Sequence, residues 1–278
     1  MAPTPEGPRR LVVNADDFGR SRSINRAVIQ AHQRGILTTA SLMVNGAACE
    51  EAVELARDNP GLGVGLHLTL VCGRSALPPI QIPGLADKEG HFSENPAITG
   101  LRYFLSKALR GQLRAEIEAQ FQKFGATGLR LDHVNGHLNI HLHPTILALL
   151  TEPDLPGPIR HMRVTRDRFW LNARIARGRW LYRVSHAVIF NLLSRHARPI
   201  LSKRGIGHTR TVFGLLENGQ VDERYLLRLL PRLPGGDSEL YSHPSFEEFK
   251  PEFDALVSPR VRDTIDQLGI QLVRYQDL

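Results

Sequence analysis

Cysteine is scarce in this chain: Cys49 and Cys72 are the only two among 278 residues. So few cannot build a disulfide framework, which argues against a stapled secreted domain and for a reducing compartment. Long apolar runs are missing too. No stretch approaches the roughly 18 residues of a spanning helix, so an integral membrane protein is not expected. The first ten residues are polar and proline-rich, with no apolar stretch of the kind a signal peptide needs. They read as a disordered tail of a cytoplasmic protein. Acid is nearly absent from one region. Residues 158–210 carry twelve arginines and Lys203 against a single acid, Asp167, while the rest of the chain has 22 basic and 27 acidic residues. The basicity is one block on a mildly acidic protein.

Hydrophobic residues make up 42% and charged residues 23%, enough apolar material for a packed core. Short β-branched or apolar runs at 11–15, 38–44, 62–70, 129–135, 159–165, 209–213, 239–242 and 270–275 read as strands. Helical spacing appears at 23–34, 47–57, 101–109, 113–124, 144–150, 225–233 and 259–268. Residues 71–100, rich in Pro and Gly, read as a long loop. Alternation of strand and helix predicts a parallel α/β fold, and about eight strands fit a distorted (β/α) TIM-like barrel. Residues 11–278 are expected to form one domain, with no repeat or linker.

Residues able to do chemistry fall just after the strands. Asp16 and Asp17 follow the first. His67 closes the third. His133, His137, His141 and His143 follow the fourth, and His243 follows the run at 239–242. In a barrel the C-terminal strand ends converge on one face, so these segments would share a pocket. Adjacent carboxylates could divide labour, one binding a metal and one accepting a proton from water. Asp16-Asp17 before Phe-Gly is equally an ordinary turn, and a single strand histidine is usually structural. Imidazoles are frequent ligands for divalent metals. Four in one short run cannot all be ligands; His133 and His143 read as orienting or structural.

The motifs Asn14-Ala15-Asp16-Asp17-Phe18-Gly19, Ser41-Leu42-Met43-Val44-Asn45-Gly46, Gly65-Leu66-His67, the histidine run ending in His143-Pro144, and Ser242-His243-Pro244 occur in that order. Together they resemble the YdjC-like carbohydrate deacetylases, and within them the branch encoded with hopanoid lipid biosynthesis. The resemblance runs from about residue 10 to 275 and is weakest over 160–210. It implies a distorted barrel and removal of the acetyl group from an N-acetylated sugar, such as the N-acetylglucosamine headgroup of a hopanoid glycolipid. It implies one divalent metal, magnesium by family and zinc or manganese by ligand chemistry. The metal falls to Asp17, His67 and His137, the general base to Asp16 and the acid to His243. Many members carry consecutive histidines where this chain has His137-Leu138-Asn139-Ile140-His141, which leaves His141 as a rival ligand.

A metal-dependent phosphoesterase and a non-enzymatic lipid- or nucleic-acid-binding barrel are the alternative classes. In the basic block, Phe169, Trp170, Trp180 and Tyr182 are interleaved with arginines. That pattern reads either as a surface for anionic membrane, at the inner face, or as an ordinary barrel helix with solvated arginines. No nucleic-acid motif is present, so no nucleic-acid partner is expected. A homodimer is one open assembly.

Overall fold

The computed structural model describes residues 7–176 and 178–278. Residues 1–6 of the expected tail, and Arg177, lie outside the described residues. The strands are β1 (Arg9–Phe18), β2 (Thr39–Leu42), β3 (Gly63–Leu68), β4 (Leu131–Gly136), β5 (Thr211–Phe213), β6 (Gly236–Ser242) and β7 (Gln271–Leu272). All pair in parallel, in the order β4-β3-β2-β1-β6-β5, with β7 added on β1. β1 therefore starts two residues inside the expected tail.

Among the described residues ten α-helices join or flank the strands: α1 (Arg22–Arg34), α2 (Cys49–Arg57), α3 (Pro96–Leu105), α4 (Arg110–Ala126), α5 (Pro144–Leu150), α6 (Phe169–Ile175), α7 (Trp180–Lys203), α8 (Glu223–Leu229), α9 (Lys250–Leu256) and α10 (Pro259–Gln267). The result is a single α/β domain whose parallel sheet curls into a half-barrel. The middle of β1 is apolar and wholly buried, as a strand covered on both faces requires. One apolar cluster runs from Leu11 to Ile270 through strands and helices alike. α1 shows how the helices begin: Ser21 Oγ accepts from the Ile24 N–H, satisfying one of the free amides of the first turn.

The strand expected at 159–165 is not a regular one. It forms isolated pairings, Met162 with Val134 and His161 with Gly207. Its backbone still bridges the gap in the ring. Val134 N–H donates to His161 C=O on one side, and Val212 N–H donates to Arg166 C=O on the other. The backbone turns back on itself near its end, where Arg166 N–H donates to Val164 C=O instead of to a neighbouring strand. In its middle the cation of Arg163 is fully buried among acids.

Candidate metal centre

β1 carries Asp16 and Asp17 to the pocket by an irregularity. Its register with β2 shifts between Ala15 and Phe18, and Asp17 takes a left-handed φ of 64°. In a regular strand neighbouring side chains point to opposite faces. Here both carboxylates border the same ring: His67 Nε2 lies 3.3 Å from Asp17 Oδ1, and Nδ1 lies 4.0 Å from Asp16 Oδ1. Left-handed backbone is tolerated by Asp better than by most residues, which suits the residue type to the bend.

β4 supplies the second half. Successive inward positions at period two carry His133, Asn135 and His137. His133, the deepest, bonds Asp132 and Ser41 through its two ring nitrogens and stacks on Tyr275. Asn135 comes next. Its amide N–H groups donate to Asp16 Oδ1 at 2.9 Å and Ser41 Oγ at 2.8 Å, and its oxygen lies 2.7 Å from His67 Nδ1. An amide oxygen only accepts, so His67 Nδ1 holds a proton and Nε2 is the ring atom turned to Asp17, able to ligate once its own proton is lost. His137, at the mouth, places Nδ1 3.0 Å from Asp17 Oδ1.

Asp17, His67 and His137 thus form one buried group whose ligand atoms all lie within 4.8 Å of one another. A carboxylate and two imidazoles, buried and with one imidazole already oriented, fit a single divalent ion. The other oxygen of Asp17 is held by Arg20 at 2.9 Å. Burial raises the Asp17 pKa, but hydrogen bonds and charge from His137 and His67 outweigh it and hold the carboxyl well below its usual range. Burial also opposes charge on His67, yet Asp16 and Asp17 raise its pKa above the ordinary value.

The rival ligand His141 lies elsewhere. Leu138 and Asn139 both adopt left-handed backbone, with φ of 52° and 57°, so the chain turns sharply after His137. His141 is carried to the Arg163 carbonyl, to which its Nε2 donates at 3.0 Å. Burial pushes its pKa down to about 3, which keeps the ring neutral. His143 packs its ring edge-on against Tyr103 and Phe104 at the start of α5.

Arg163 went unrecognised as a site residue in the sequence, where it counts as one of the basic block. Its guanidinium grips Asp16 with two bonds of 2.7 and 2.9 Å and reaches Glu239 from Nε and Nη2. Burial disfavours charge on Asp16, but Arg163 dominates and keeps the carboxyl ionised. Glu239 in turn accepts from the Tyr275 hydroxyl, and Gln276 N–H donates to Asp132. Arg183, in α7, is likewise buried and paired with Glu217. These two arginines are interior, not part of a solvated basic surface. A charged residue in the middle of an otherwise strand-like run, as at Arg163, is the signal that could have found the first.

His243 stands at the end of β6. Its Nε2 lies 3.0 Å from the Tyr241 hydroxyl, and its N–H donates to Glu252. Its Nδ1 is buried with no partner among the described residues. The Arg163 guanidinium lies 5.0 Å from the centre of the Tyr241 ring, and β6 pairs with β1 as far as Ser242 and Ala15, so His243 leaves its strand at the level of Asp16. Asp16, Asp17, His67, His137 and His243 are thus gathered at one end of the sheet.

The YdjC-like protein family model matches residues 10–267. The chain belongs to the YdjC-like family. A carbohydrate deacetylase of Brevibacillus brevis is 41% identical over 141 residues, covering 51% of this chain and 54% of that protein. One from Geobacillus stearothermophilus is 38% identical over 162 residues, or 62% of its length. In these relatives the matched chain spans little more than half of the protein. A carbohydrate deacetylase of Clostridium beijerinckii is 27% identical over 278 residues, 97% of this chain and 100% of the relative. A proposed cellobiose-phosphate cleavage protein of Enterococcus faecalis V583 shares the fold, with a TM-score of 0.75 at 23% identity over 98% of this chain and 99% of the other.

Proposed function

We propose that this YdjC-like protein is a divalent-metal-dependent hydrolase that removes the acetyl group from an N-acetylated sugar. The observation that carries the reading is the buried Asp17–His67–His137 group with an ionised second carboxylate, Asp16, beside it. The family relatives named carbohydrate deacetylases support it.

Asp17, His67 and His137 would hold a divalent ion, which would supply Lewis acidity to the amide carbonyl and to the attacking water. Asp16 accepts the proton that water releases as its oxygen attacks the carbonyl carbon. Arg163, Asn14 and Asn135 fix the Asp16 carboxylate, so its position costs no reorganisation during the reaction. The amine is a poor leaving group until protonated. His243 donates that proton as the C–N bond breaks, and its ring is oriented by Tyr241. The products are acetate and a free amino sugar.

The finer assignment is the N-acetylglucosamine headgroup of a hopanoid glycolipid, met at the cytoplasmic face of the membrane, on the family resemblance of the motifs. Magnesium is the ion proposed on the same ground; two imidazoles suit zinc and manganese as well. Acetate release from N-acetylglucosamine conjugates, with and without a chelator, tests the reading. Turnover that survives complete removal of metal refutes it. Asp16→Asn should keep its metal and lose on the order of 10²–10⁴-fold in turnover, the usual scale for a general base.

A further inference from the structure

We propose that the outward face of α6 and α7 is a docking surface for an anionic lipid bilayer. The surface itself is argued from exposure and charge. Its use in presenting a lipid-linked sugar rests on the deacetylase reading.

α7 buries one side, with Phe190, Ala197 and Leu201 turned to the core. Its other side is also apolar over the first turns. Leu181 is 89% exposed, Val184 46%, Val188 55% and Leu192 60%. These positions follow i, i+3, i+7, i+11 and make one stripe along the helix. Trp170 and Trp180, at 76% and 53%, stand exposed at the stripe's beginning. A helix apolar on both sides has a second apolar environment to meet, and an exposed apolar patch with a polar rim marks an interaction site.

The rim decides what covers it. Arg166, Arg168, Arg174 and Arg179 are exposed at the beginning of the stripe, and Arg195, Arg198, Lys203 and Arg204 at its end. The one acid of the block, Asp167, is turned inward, where it accepts from Arg168 N–H, Leu216 N–H and the Asn172 amide. A second copy of the chain meeting this face would set like charges against each other. A nucleic acid would satisfy the arginines and leave the aliphatic stripe in water. An anionic bilayer takes both: headgroups pair with the arginines while the stripe and the tryptophans enter the boundary of the acyl region.

The location fits the site. α7 touches the turn that carries His137, and α5, which His143 opens, packs against both α7 and α3. α3 presents another outward apolar set: Ile98, Leu101, Phe104 and Leu105 are all more than half exposed. Both helices that carry an apolar outward face therefore pack, through their inner sides, against elements next to the turn that carries His137.

Co-sedimentation of the full chain with vesicles tests this. Phosphatidylcholine vesicles containing phosphatidylglycerol should bind at low salt, bind less as salt rises, and outcompete pure phosphatidylcholine. Two variants separate the two contributions: Leu181→Gln/Val188→Gln/Leu192→Gln, and Arg168→Gln/Arg174→Gln/Arg195→Gln/Arg198→Gln. An arginine near an anionic surface supports roughly fivefold in partitioning, so the arginine variant should lose well over about tenfold; the apolar variant, which removes the insertion into the acyl boundary, should lose at least about tenfold. Their unfolding midpoints, read by circular dichroism, should match the parent. Failure of the parent to bind anionic vesicles at low salt overturns the proposal. So does binding unchanged in both variants, or a stable dimer that the first variant dissolves. Vesicle binding without acetate release leaves the docking surface standing and sinks the deacetylase reading; acetate release without vesicle binding does the reverse.

Discussion

Arg163→Met removes a cation that is fully buried between two acids. The wild-type guanidinium makes four bonds to Asp16 and Glu239, between 2.6 and 2.9 Å. Methionine fills similar volume but leaves both carboxylates without a counter-charge. Breaking a buried pair by removing one partner costs about 3–5 kcal/mol. Asp16 keeps the amides of Asn14 and Asn135, and Glu239 keeps the Tyr275 hydroxyl, which favours the lower end of that range. For a domain of this size each kcal/mol moves the unfolding midpoint by about 2 °C, so a fall of roughly 6 °C is expected by calorimetry. The triple variant Arg163→Met/Asp16→Asn/Glu239→Gln removes the stranded charges and should recover about half of the loss. A single variant within about 1 kcal/mol of wild type, or a triple variant no better than the single, would show that the buried network does not hold the barrel interior as argued.

Metal analysis of purified variants should find Asp17→Ala, His67→Ala and His137→Ala depleted of divalent ion, and His141→Ala loaded like wild type; a depleted His141→Ala would reverse the choice within the histidine run. Asn135→Ala takes away the oxygen that orients His67, and isothermal titration should show metal affinity weakened by about 10- to 100-fold; unchanged affinity would mean the His67 ring is held by packing alone. Burial, with the nearby charge of Glu217, pushes Asp167 up to about 7 against the pull of its hydrogen bonds. A carboxyl raised on folding stabilises the protein fully below its ordinary pKa of about 3.9 and loses that contribution as pH rises through the folded value. Denaturation of Asp167→Asn across that window should therefore show a flatter fall in stability with pH than the parent; parallel curves would contradict the assignment.

Much of the fold could be read from residue pattern because the elements are consistent with themselves. β1 to β4 announce themselves by short apolar runs that end in polar residues, and α1 and α10 by apolar spacing with a serine cap. The stave at 161–166 could not be read as irregular, because side-chain pattern does not say that the Arg166 amide turns back to Val164. α9 escaped notice: it is seven residues long with Pro251 in its first turn, too short for periodicity to speak. At the site, the order of the motifs brought out Asp16, Asp17, His67, His137 and His243. Asn135, Glu239 and Tyr275 stayed hidden, since their roles are relations between β4, β6 and the C-terminal turn. Only the His133–Asn135–His137 alternation hinted at the first. That His137 and not His141 faces Asp17 depends on two left-handed residues, which side-chain pattern does not encode.

The turn after β7 ties the floor of the site to contacts made at long range. Tyr275 stacks beneath His133 and bonds Glu239, while Gln276 bonds Asp132. The floor under the metal group is therefore laid by a segment 144 residues along the chain from Asp132. β1 to β4 can pair before that segment docks, but until then Glu239 lacks its hydroxyl partner and the interior stack is open from below. Contacts of such separation form late, because a long loop must close before they repay its entropy. A folding intermediate therefore meets metal with an unfinished cradle.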